Sequence, residues 1–209
     1  MKYATFLRGI NTGKQNLKMK DLLDALEREG FIDPKAYLAS GNLLLEDHLG
    51  GESGMIELTA DELKELISRT IQKMTGWDIG VILRSQVELD AILKELAEAD
   101  AELVETELAK TELAKTELAE AGFEPEGYHT YVLLTADEAV LGEVKTLYGN
   151  YAHGEGEKLF GEKSDFFWRV KIGDTLGGFG SKVLGGPKFK NRLTSRNINT
   201  IRKVRKAME

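Results

Sequence analysis

Two kinds of apolar spacing alternate along the first 85 residues, and their order constrains the fold more than any other feature of the chain. "KYATFLRGI" is an apolar run of strand length, with Gly9 and Gly13 in the loop that follows. "LKMKDLLDALEREGF" then places Leu17, Leu22, Leu23, Leu26 and Phe31 at roughly helical spacing, and Gly30 suits a helix end. Asp33-Pro34 marks a turn. "KAYLASGNLLLED" reads as two strands that reverse at Gly41-Asn42, a favoured two-residue hairpin pair. "GGESG" at 50–54 reads as a loop. Thr59 with Glu62 three residues on is a capping box, and it predicts a helix over 60–75 with Leu63, Leu66, Ile67, Ile71 and Met74 on one face. "DIGVILRS" is one more strand. The order β-α-β-β-α-β is that of the split β-α-β, or ferredoxin-like, arrangement.

Ser85 opens a further helix, "QVELDAILKELAEAD", which runs into three copies of a five-residue unit, "TELAKTELAKTELAE" at 106–120. A helix turns by about 100° per residue, so leucines five apart step by about 140° and build no single stripe. Helix propensity stays high throughout, which predicts a long helix that Gly122 and Pro125 end. The second half repeats the logic of the first. "YHTYVLLT" is a strand, and "ADEAVLGEVKTLYG" is a helix with Thr135 as cap and Glu138 at the capping-box position. "EKLF" and the aromatic-rich "SDFFWRVKI" are strands. "LGGFGSKVLGG" is a glycine-rich turn into a short helix. "TSRNINTIRKVRKAME" is read as the last helix, with Ile198, Ile201, Val204 and Met208 on one stripe. The expected fold class is therefore α+β: two ferredoxin-like α/β-plait domains (βαββαβ-type) in tandem, joined by a long helix. The expected units are an N-terminal plait at 1–98, a pentapeptide-repeat helical linker at 99–121, and a less complete plait at 122–209 that carries an extra basic C-terminal helix.

The absence of cysteine excludes disulfides, thiolate catalysis and cysteine-based zinc sites. No apolar stretch approaches the roughly 18–20 residues of a membrane helix, and "MKYATFLRGIN" does not read as a signal peptide, so a cytoplasmic protein is expected. The net charge of −7 hides a separation of sign. Residues 1–20 hold five basic residues and no acid, and residues 175–209 hold nine basic residues and one acid. Either the two ends form an interaction surface, or they pack against the acidic middle and neutralise within the chain.

Several stretches, taken together, resemble one family. "YATFLRGINTG", "LASGNLLLE", "VILRS", "GSK" and "TSRNINTIRKV" are similar, in that order, to the signatures of the bacterial family called domain of unknown function 1697. The resemblance implies a pair of α/β-plait domains and no activity. Ile198 stands where that family usually has tryptophan, and the 98–121 region replaces a shorter link.

Four stretches could carry chemistry. "GINTGKQN" (9–16) sits between a strand and a helix, where a phosphate loop would sit. Gly9 to Gly13 is one residue short of the nucleotide-binding spacing, and Gln15 follows the lysine where a Ser or Thr would hold magnesium. A simpler anion site at the helix N-terminus, with Arg8, Asn11 and Lys14, competes with a plain βα turn. In "TSRN", Thr194 or Ser195 is read as an N-cap, which puts Arg196 in the first helical turn and Asn197 beside it. A cation is disfavoured there unless an anion, or a carboxylate of the acidic middle, shares the site. In "GGFGSK", glycines before Ser181 and Lys182 would let the backbone approach a ligand closely, or form a plain loop. The basic face Arg202, Lys203, Arg205 and Lys206 would suit nucleic acid, although the chain matches no RNA-recognition consensus. "HGEGE" (153–157) has metal-ligand types but reads as a solvated turn, so no metal and no cofactor are expected.

The expected function is a binding or regulatory protein for an anionic, phosphate-bearing small ligand in a basic cleft between the two units. Its anion-binding candidates are Arg8, Asn11, Lys14, Ser181, Lys182, Thr194, Arg196 and Asn197. An enzyme acting on a phosphorylated metabolite, with Lys14 or Lys182 as electrostatic stabiliser, is the alternative, and no catalytic residue is identified. Nucleic-acid binding comes third. No membrane partner is expected.

Overall fold

The computed structural model describes residues 1–10, 16–38, 41–51, 54–108, 127–161 and 165–209, with the backbone alone over 102–108. In the first half, β1 (Lys2–Arg8), β2 (Lys35–Ala36), β3 (Asn42–Glu46) and β6 (Gly80–Ser85) form one antiparallel sheet in the order β2-β3-β1-β6. Helices α1 (Met19–Arg28) and α2 (Ala60–Thr75) lie between its strands in sequence. The Thr59–Glu62 capping box forms, with Thr59 N donating to Glu62 Oε2 at 2.8 Å. Two details differ from the sequence reading. Gly41-Asn42 is not a two-residue reversal, because Asn42 already belongs to β3 and Ala36 pairs with Leu43. The segment around 50–54 is a second hairpin rather than a loop, made of β4 (His48–Gly51) and β5 (Gly54–Glu57).

The second half repeats this strand order. β7 (Tyr128–Thr135), β8 (Lys158–Phe160), β9 (Phe166–Lys171) and β10 (Leu193–Asn197) pair antiparallel in the order β10-β7-β9-β8. Helix α3 (Gln86–Leu108) connects the halves, and the rest of the pentapeptide repeat lies outside the described residues. Helix α4 (Glu138–Gly149) is capped by Asp137, not Thr135, because Thr135 still belongs to β7 and Asp137 accepts from Val140 N. Helix α5 (Phe179–Lys182) is one short turn, and a 3₁₀ turn follows at Pro187–Phe189.

The largest correction concerns the chain's last segment. "TSRN" is not the start of a helix. Leu193–Asn197 is β10, paired with β7 from Leu193↔Thr135 to Asn197↔Tyr131, and it completes the second sheet. Helix α6 (Ile198–Ala207) starts after it, with Asn197 as cap accepting from Asn199 N at 2.9 Å. Thr194 and Ser195 therefore extend a strand, and Arg196 escapes the unfavourable end of the helix dipole.

Three apolar clusters follow from this layout. Helices α1 and α2 cover one face of the first sheet, with Leu22, Leu26, Leu63 and Ile67 against Leu7, Leu43 and Val81. Helix α4 and α5 cover the outer face of the second sheet, with Val140, Val144 and Phe179 against Leu133 and Trp168. The central cluster joins both inner faces: Ala4, Phe6 and Ile82 from one sheet, Val132, Leu134 and Phe167 from the other. Leu89, Ile92 and Leu96 of α3 and Ile198, Ile201, Val204 and Met208 of α6 fill it. Each such buried side chain contributes about 1.5–3 kcal/mol, so the predicted stripe of α6 is part of the core that ties the halves together.

Candidate functional site

Where the halves meet, the end of β1 runs beside β10 and the α5 segment. A cavity of about 280 Å³ opens there. Residues 7–10 form one wall and residues 193–196 another, and Gly180, Leu184 and Gly185 close the third side. The described lining holds two guanidiniums, two hydroxyls, glycine backbone and the apolar side chains Leu7, Ile10, Leu184 and Leu193. Gly41 shapes the rim indirectly. Its φ is +74°, its carbonyl accepts from Leu7 N at 2.8 Å, and a Cβ there would fall 2.6 Å from Ile10 Cδ1.

Two arginines cross at this place in opposite directions. Arg8, at the end of β1, reaches into the second half. Its Nη1 donates to Phe189 O and to Leu193 O, both at 2.5 Å, and its Nη2 donates to Leu184 O at 2.7 Å. Arg196, in β10, reaches into the first half. Its Nε donates to Asn42 Oδ1 at 2.7 Å and its Nη2 to Leu7 O at 2.7 Å and Gly41 O at 3.4 Å. Its Nη1 donates to Thr194 Oγ1 at 2.8 Å and Ser195 O at 2.9 Å. The guanidinium also lies over the Phe6 ring, 5.7 Å from its centroid.

The oxygens just named are carbonyl, amide and hydroxyl oxygens, and none of them is a carboxylate. Dipoles of that kind solvate a guanidinium without cancelling its charge. Burial pushes the Arg196 pKa down to about 10, and burial lowers that of Arg8 as well. Both stay charged at neutral pH. An arginine has five N–H donors. The five bonds above match the five donors of Arg196, and among the described residues three bonds engage Arg8.

Of the candidate residues, the structure brings Arg8, Thr194 and Arg196 to one cavity. Asn11 and Lys14 lie outside the described residues. Ser181 is next to the lining residue Gly180 but is not among the described residues that line the cavity, and exposed Lys182 is not either. Asn197 is occupied as the cap of α6. The glycines of "GGFGSK" answer to packing rather than to a ligand. A Cβ on Gly180 would fall 2.4 Å from the Trp168 ring, and one on Gly178 would fall 2.7 Å from Glu157 Oε1 and 2.8 Å from Trp168. Glu157 of "HGEGE" is turned inward, where Trp168 Nε1 and Phe179 N both donate to its Oε1 at 2.7 Å. Among the described residues no cluster of His, Asp or Glu is arranged to hold a metal ion.

The basic face of α6 is partly answered by the chain's own acids. Arg205 forms a two-point fork with Asp90 of α3, at 2.6 and 3.0 Å, and Lys188 and Arg192 share Glu143, each at 2.9 Å. Such exposed pairs contribute little stability, but they neutralise charge that nucleic acid would need.

Sequence reasoning missed Asn42 and Ser195 as parts of the site, and it missed a second crossing. Arg84 of β6 holds the Asp165 carboxylate in a fork, Nε to Oδ2 at 3.0 Å and Nη2 to Oδ1 at 2.6 Å. Arg84 Nη2 also donates to Thr135 O at 2.9 Å, and Thr135 N donates to Asp165 Oδ1 at 2.9 Å. These partners are far apart in sequence, so no local signal could have found them.

A family model described as "Protein of unknown function (DUF1697)" matches residues 1–125. None of the curated proteins compared with the chain matches it. Among solved structures, the conserved bacterial protein SP0830 from Streptococcus pneumoniae is similar, with a TM-score of 0.67 at 19% sequence identity over 99% of this chain and 97% of that one. At that identity the likeness extends to the fold and no further. The shared fold is mixed α/β with antiparallel sheets. Among the described residues, no helix is long and apolar enough to cross a membrane.

Proposed function

This chain belongs to the DUF1697 family of proteins of unknown function, and from that premise we propose that it is a cytoplasmic binding protein whose cavity between β1, β10 and α5 takes a compact anionic ligand. We read each half as a ferredoxin-like plait, units 1–98 and 122–209 with the linker 99–121 between them. The observation that carries the proposal is the pair of charged arginines, Arg8 and Arg196, at one cavity and held there by neutral oxygens. A phosphate or carboxylate group would complete the charge balance, and the planar donors of a guanidinium suit either group. The apolar walls suit a small organic body. Small-molecule sites usually measure about 300–1,000 Å³, so a cavity of this size favours a ligand well short of a dinucleotide. The described lining holds no side chain that ordinarily titrates near neutrality, which supports binding over turnover.

Calorimetric titration with orthophosphate, sulfate and benzoate tests the reading. The wild-type protein is expected to bind at least one of them saturably. Ser195→Glu places a carboxylate at an exposed lining position, and it should abolish that binding while the melting temperature holds. Heats indistinguishable from dilution with all three probes would overturn the proposal.

A further inference from the structure

Arg84 and Arg196 occupy corresponding places in the two halves. Each sits on the edge strand that pairs with the first strand of its own sheet, β6 beside β1 and β10 beside β7. Each immediately precedes the residue that caps the next helix. Ser85 and Glu88 close a box on α3, and Asn197 caps α6. Each sends Nη2 to a carbonyl near the end of the first strand of the opposite sheet, Thr135 O for Arg84 and Leu7 O for Arg196. Each sends Nε to a side-chain oxygen at the start of the third strand of that sheet, Asp165 before β9 and Asn42 at the head of β3.

The two joints thus correspond in these contacts and differ in the chemistry of the third-strand partner. Asp165 is a carboxylate and Asn42 is an amide. Asn42 is fully buried, and its Nδ2 donates to Tyr37 O at 3.1 Å, which fixes Oδ1 toward Arg196. At this position the Arg196 joint is one negative charge poorer than its counterpart, and it holds a second cation, Arg8, whose three acceptors are all backbone carbonyls. The cavity lies at this joint.

We infer that Asn42 sets the charge of the cavity: by answering Arg196 with an amide where Asp165 answers Arg84 with a carboxylate, it leaves one joint open to an external anion, and an aspartate in its place would close the site from within. The inference rests on the anion-binding reading above. A carboxylate at position 42 would meet Arg196 from β10, and Arg8 from β1 lies at the same cavity as Arg196. When protonated, such a carboxyl could still donate to Tyr37 O as the amide does. When ionised, it would balance the arginine and repel the ligand.

The test is Asn42→Asp in the full chain, titrated with sulfate, whose charge is constant over about pH 5 to 8, the range in which a buried carboxyl can ionise. The variant should bind sulfate close to wild type at the acid end and at least tenfold more weakly at the alkaline end, while wild-type affinity changes little. Two results would overturn the inference. One is a variant whose affinity tracks wild type at every pH. The other is a variant that unfolds as pH rises while wild type stays folded, since the joint would then reject the charge it is said to lack. If wild type itself takes up no sulfate at any pH, sulfate binding falls first and this inference falls with it, an outcome distinct from either result with the variant.

Discussion

Arg84 and Arg196 leave equivalent strands, cross between the same two sheets and meet different partners. At the Arg84 joint a buried carboxylate takes both ends of the guanidinium fork, and the charges cancel inside the protein. At the Arg196 joint the described acceptors are neutral oxygens, and the charge persists beside a cavity. The contrast shows how one structural device serves two ends. A buried ion pair is a closed joint, costly to break on either side. A cation solvated by dipoles is held in position with its field intact.

The largest expected effect tests the closed joint. Asp165→Ala leaves Arg84 buried without its carboxylate and should cost about 3–5 kcal/mol in urea denaturation. If it costs no more than Asn42→Ala, the contrast between the joints collapses. Arg196→Ala comes next, at about 2–3 kcal/mol by the same measurement, because the oxygens it abandons are neutral and water can reach some of them. Gly180→Ala should cost about 1–2 kcal/mol, because its Cβ would overlap Trp168. It sharpens the comparison by deforming a cavity wall while both joints keep their partners. Arg8→Lys retains the charge but cannot hold three carbonyls in one plane, and it should lose about 1 kcal/mol. Ser195→Glu has the smallest effect on stability, within about 0.5 kcal/mol, while removing anion binding.

Features whose causes are local were legible in the sequence. The Thr59–Glu62 box and the Ile198–Met208 stripe are written within a few residues, and both form as read. β10 was hidden because Thr194, Ser195 and Arg196 are polar and resemble a cap. What makes them a strand is the free edge of β7, about 60 residues earlier in the chain. The same lack of local cause hid Asp165 from Arg84 and Asn42 from Arg196, since only the packing of the two sheets brings them together. The glycines of "GGFGSK" were visible as a demand for close approach, but the partner, Trp168, lies in β9. Arg8, Thr194 and Arg196 line one cavity although the element assigned to the last two was wrong, because a strand end and a helix start occupy nearly the same place in the chain.

The packing of Gly180 on Trp168 has an optical consequence. The chain contains two tryptophans, and Trp77 packs against the cluster beneath α1 and α2. Trp168 is 2% exposed, its indole N–H is held by Glu157, and its ring touches a glycine that itself lines the cavity. The fluorophore is thus one residue removed from any occupant, in a rigid and dry setting. A Trp77→Phe protein would report filling of the cavity through its own emission, with no label attached.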